Sequence, residues 1–60
     1  PLTIKDLKIT GEDLITILNI KPGKAIGETL NYLIERVLED SALNSKELLL
    51  ELGKEFIDNM

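Results

Sequence analysis

Apolar residues between 26 and 37 stand at Ile26, Leu30, Leu33, Ile34 and Val37, a spacing that gathers them on one helical face. Glu28, Asn31, Glu35 and Glu39 take the opposite side, so a helix is predicted from about residue 24 to residue 40. A second stripe, Leu48, Leu49, Leu52, Phe56 and Ile57, points inward against outward Glu47, Glu51 and Glu55, and predicts a helix over about 45–58. Ahead of it Asn44-Ser45-Lys46-Glu47 has the form of a capping box, with Asn44 as the cap and Glu47 at the third helical position. Thr10-Gly11-Glu12-Asp13 is another helix start, Thr10 capping and Asp13 reciprocating. It opens a short helix over about 10–18 that carries Leu14, Ile15, Ile17 and Leu18 and ends at Asn19, a residue suited to left-handed backbone. A helix this short forms only through tertiary packing.

Leu2, Ile4, Leu7 and Ile9 follow neither period and read as an irregular N-terminal lead-in, extended or loosely turned, that lays apolar side chains on the core. Ser41-Ala42-Leu43 reads as a short connection. The fold class is all-α: a small three-helix domain spanning residues 1–60. Gly53 interrupts the third helix at a cost of roughly 1 kcal/mol against alanine. It marks either a close helix approach or fraying of the last turns.

Composition narrows the chemistry. Sixty residues make one domain that buries about 60% of its unfolded surface. With 43% hydrophobic residues but one Tyr and one Phe, the core is aliphatic. The chain has no cysteine and no histidine, which removes disulfides, thiolate metal sites and the commonest general base together. The lack of disulfides fits the cytoplasm. Net charge is −4, from 11 acidic against 7 basic residues, so there is no global basic footprint for nucleic acid, only room for a local one. No apolar run approaches the ~20 residues of a membrane span, and no signal-peptide pattern is present. The chain opens at Pro1 without an initiator Met, so the expectation is a fragment or processed piece.

The local candidate is Asn19 to Gly27, Asn-Ile-Lys-Pro-Gly-Lys-Ala-Ile-Gly, a turn leading straight into the second helix. Helix starts ordinarily have a capping side chain and acids in the first turn. This one has Gly23 at the cap and Lys21 and Lys24 around it. Uncapped amides at a helix N-terminus make an anion site, most often for phosphate. One reading therefore has the amides of Gly23, Lys24 and Ala25 facing a phosphate, flanked by the two lysines. The plainer reading is a tight helix–helix turn, and the residues alone favour it. Gly27 offers a bare surface either to RNA or to the first helix, packing being the simpler reason; Thr10-Gly11 reads as a cap and its turn.

Other features weigh less. Tyr32 and Arg36, four residues apart, suit a surface cation–π pair better than a base-stacking site. The glutamate rows are solvated faces that repel RNA, leaving the loop end as the approach. No catalytic or metal-binding residue emerges. Leu48, Leu49, Leu50 and Leu52 spread around more of the third helix than one core face needs. They support an alternative, a protein-interaction or oligomerisation module. A helix–hairpin–helix contact to DNA is a third possibility.

Ile9-Thr10-Gly11-Glu12-Asp13-Leu14-Ile15, then Ile20-Lys21-Pro22-Gly23, Ile26-Gly27-Glu28, Leu30, and Leu43-Asn44 ahead of Leu48-Leu49 form an ordered pattern. It resembles the C-terminal end of bacterial tRNA nucleotidyltransferases (CCA-adding enzymes) of the poly(A) polymerase family, over roughly residues 2–53. The resemblance implies an all-helical, non-catalytic, RNA-binding tail that contacts the tRNA body. A catalytic head and neck of the same chain would add or repair the 3′-terminal CCA. It implies tRNA as partner, a cytoplasmic location, and Mg2+ with ATP and CTP for the parent enzyme but no cofactor for this piece. It tips the turn toward phosphate contact and makes Lys21, Gly23, Lys24, Ala25 and Gly27 the RNA-phosphate-binding residues. The head's acidic metal motif and nucleotide-selecting helix have no counterpart here, so no catalytic residue is carried over. The choice between CCA and poly(A) addition lies in that head. Two positions depart from the family: Asn19 where glycine is usual, and Lys24 where proline is frequent.

Overall fold

Thr10 and Asp13 exchange hydrogen bonds at the start of α1 (Gly11–Thr16) in the computed structural model, which describes residues 3–59. The Thr10 hydroxyl accepts from the Asp13 amide at 3.2 Å, and the Asp13 carboxylate accepts from the Thr10 amide at 3.1 Å. The predicted capping box is in place. The helix ends two residues earlier than its pattern predicted, because Asn19 turns left-handed at φ 59° and the Ile20 amide reaches back to the Leu14 carbonyl at 3.1 Å. Ile17 consequently lies in the turn, 50% exposed, while Leu18 packs against the core.

α2 (Lys24–Glu39) follows its predicted face. Leu30, Leu33 and Val37 are buried, Ile26 and Ile34 pack beside them, and Glu28, Asn31, Glu35 and Glu39 face solvent. Thr29 is also fully buried, a polar position that the apolar pattern passed over. Its hydroxyl donates to the Ala25 carbonyl at 2.7 Å, so burial leaves that donor satisfied. Beyond α2, Asp40 is extended and its carboxylate accepts from the Ala42 amide at 3.0 Å. The predicted connection is thereby folded into a 3-10 turn, Ser41–Leu43.

α3 (Lys46–Asp58) corrects two expectations. Its cap is Ser45, whose hydroxyl accepts from the Leu48 amide at 3.3 Å; the Asn44–Glu47 capping box does not form. Asn44 is committed elsewhere. Its side-chain oxygen accepts from the Lys8 amide and its side-chain nitrogen donates to the Asp6 carbonyl, both at 2.9 Å. Leu48, expected inward, is 38% exposed, whereas Leu49 is fully buried.

The lead-in is more ordered than its mixed spacing suggested. Ile4–Asp6 form a 3-10 turn, and the Asp6 carboxylate accepts from the Thr3 amide at 2.8 Å. Leu7 and Ile9 are buried as expected. The expectations for Leu2 and for the Ile4 side chain lie outside the described residues.

Among the described residues the eight buried apolar ones, Leu7, Ile9, Leu14, Ile20, Leu30, Leu33, Val37 and Leu49, are all aliphatic. Two glycines let the helices close on this core. A Cβ on Gly53 would stand 3.2 Å from Leu18 Cδ1 and 3.5 Å from both Leu14 Cδ2 and Thr29 Cγ2. A Cβ on Gly11 would stand 3.2 Å from Ile26 Cγ2. Gly53 therefore marks close helix approach, not fraying. Among the described residues there is no strand, and no helix is long and apolar enough to cross a membrane.

Candidate nucleic-acid interface

The turn into α2 is bracketed by the two positive-φ residues of the described chain, Asn19 at 59° and Gly23 at 138°. Between them Ile20 drops into the core, which fixes the inner side of the turn and leaves Lys21 and Pro22 in solvent. The Gly23 conformation, φ 138° with ψ −149°, is open to glycine and strained for any other residue. Asn19 holds its left-handed conformation without being glycine, as its short polar side chain allows.

Gly23 is the N-cap of α2, no side chain caps the helix, and no acid stands in its first turn. The Ile26 amide donates to the Gly23 carbonyl at 3.1 Å. The amides of Lys24 and Ala25 belong to the set that has no acceptor inside a helix, and no described residue supplies one. Ala25 is held from behind, packed against the core with its carbonyl receiving the Thr29 hydroxyl. The end of α2 thus faces outward with its positive dipole end bare and with exposed Lys21 and Lys24 adding charge of the same sign.

Gly27 shares a face with Lys24, three residues away. Packing, the simpler expectation for this glycine, is overturned: among the described residues a Cβ there would meet nothing within 4 Å. Gly27 lies exposed inside a helix, where glycine costs roughly 0.5–1 kcal/mol relative to alanine, and the fold takes no steric benefit in return.

The glutamates Glu28, Glu35, Glu39, Glu47, Glu51 and Glu55 are all exposed, and of these Glu28 stands beside Gly27, four residues on from Lys24 on the same side of α2. Tyr32 does not pair with Arg36. It stacks on Phe56 with ring centroids 4.7 Å apart and planes 21° from parallel, joining α2 to α3. Arg36 instead meets Glu39 at 2.7 Å, an exposed pair worth about 0.3–0.5 kcal/mol. Of the four leucines behind the interaction alternative, Leu49 is buried, Leu50 and Leu52 pack against the core, and Leu48 is exposed. Sequence reasoning missed Asn44 and Thr29 as internal hydrogen-bonding residues: the Asn44 partners lie 36 and 38 residues away, and the Thr29 bond to the carbonyl four residues back is invisible to a pattern of apolar positions.

Among the described residues no three acidic, histidine or cysteine side chains converge. These residues therefore do not fit a bound Mg2+.

The sequence profile of tRNA nucleotidyltransferase domain 2 matches residues 2–52. The chain belongs to this tRNA nucleotidyltransferase family. The CCA-adding enzyme of Ligilactobacillus salivarius (strain UCC118) is 39% identical over 54 residues, 90% of this chain and 13% of the relative. The CCA-adding enzyme of Enterococcus faecalis (strain ATCC 700802 / V583) is 41% identical over 49 residues, 82% of this chain and 12% of the relative. The chain therefore spans only 13% and 12% of the length of these two curated relatives. No solved structure gives a significant match. The whole turn, Asn19 to Gly27, falls inside the matched span of this family member.

Proposed function

We propose that residues 1–60 form the C-terminal, non-catalytic tail domain of a cytoplasmic CCA-adding tRNA nucleotidyltransferase and bind the body of tRNA. The contact is the N-terminal end of α2. The amides of Lys24 and Ala25 donate to an RNA phosphate, Gly23 supplies the bend that exposes them, and the Lys21 and Lys24 side chains flank the anion. Gly27 lets the RNA backbone come close to the helix surface. The nucleotide chemistry, with Mg2+, ATP and CTP, belongs to a head and neck elsewhere in the same chain.

The observation that carries this reading is the bare end of α2: a glycine cap, no acidic first turn, two exposed lysines, and a helical glycine with open space above it. Family membership supports a tRNA phosphate as the anion, since the matching family is one of tRNA nucleotidyltransferases and the curated relatives are CCA-adding enzymes. That name also favours CCA addition over poly(A) addition. The exposed carboxylate rows of α2 and α3 oppose RNA on those faces, which supports approach at this end of the domain. Few phosphates are touched, so the contact is modest and salt-sensitive and supplements a grip made by the larger enzyme.

The test is tRNA affinity of the full enzyme carrying Lys21→Glu with Lys24→Glu, measured at several salt concentrations. Affinity should fall, and the slope of log affinity against log salt should flatten by about 1 per lysine contact removed. Unchanged affinity and slope would remove this turn from the tRNA interface.

A further inference from the structure

We draw no further inference here: the strongest candidate, the exposed apolar side chains of Leu38 on α2 and Leu48 at the start of α3, carries nothing because nothing in the structure shows what covers them.

Discussion

The Asn44 side chain holds the Lys8 amide at 2.9 Å across 36 residues of sequence, and the same carboxamide takes the Asp6 carbonyl with its nitrogen. One residue thereby ties the lead-in to the junction between the second 3-10 turn and α3. It satisfies two backbone groups of a segment that has no ladder or helix to satisfy them. Asn44→Ala removes both bonds and should destabilise the domain by about 1–2 kcal/mol. The melting temperature would then drop by roughly 4–8 °C for each kcal/mol lost. Asn44→Asp keeps the acceptor for Lys8 but sets a carboxylate oxygen against the Asp6 carbonyl, so its melting temperature should fall at least as far as that of Asn44→Ala. Thermal unfolding of the three proteins checks the order.

Gly27 and Gly53 are both helical glycines with opposite surroundings. Above Gly27 there is open space; beside Gly53 stand Leu18, Leu14 and Thr29. Gly27→Ala should therefore stabilise the free domain by about 0.5–1 kcal/mol, through better helix propensity and a less flexible unfolded chain. It should at the same time weaken tRNA binding, since the added methyl stands where the RNA backbone is to come close. Denaturant unfolding and tRNA binding on the same protein read the two effects. A gain in stability with no loss of affinity would assign Gly27 no part in the contact.

For Gly53 the expected sign is reversed. Gly53→Val places two branches where even one Cβ stands 3.2 Å from Leu18, and overpacking of this kind costs about 1–3 kcal/mol. Urea unfolding should show a lower midpoint with an unchanged slope. A midpoint at or above that of the parent protein would return Gly53 to the frayed-end reading.

Lys21 and Lys24 are exposed, and α2 needs neither for packing. Surface substitutions of this kind change stability by no more than about 0.5 kcal/mol. Acids suit the positive end of α2, so the doubly reversed protein should unfold at the same denaturant concentration as its parent or slightly above it. A large loss of stability would mean that the lysines serve the fold, and any binding defect would then need a structural explanation.

Much of this architecture is legible in the residue pattern because it is periodic. The face Ile26, Leu30, Leu33, Ile34 and Val37 defines α2 to within a residue, and Thr10 with Asp13 marks the start of α1. Asn19 could be placed because left-handed backbone restricts residue choice so strongly, and Gly23 because glycine stands where a capping side chain is usual. What escaped the pattern is long-range or polar. Asn44 and Ser45 are adjacent residues with equal capping ability, and only the distant Asp6 and Lys8 decide which of them caps. Leu48 and Leu49 are chemically identical, and a broad leucine stripe does not say which one points inward. The Tyr32–Phe56 stack depends on how α2 meets α3, which a local i, i+4 rule does not see. For the turn, residue types supplied the exposed lysines and the glycine cap, whereas the emptiness above Gly27 required coordinates.

Whether the open end of α2 meets an RNA phosphate is tested most directly by backbone amide shifts during titration of the domain with tRNA. The amides of Lys24 and Ala25 should move the most, with Gly23 and Gly27 following, along curves that saturate and weaken as salt rises. If tRNA binds while those four amides stay in place, or if a folded domain shows no saturable shift at any of them, the account is contradicted.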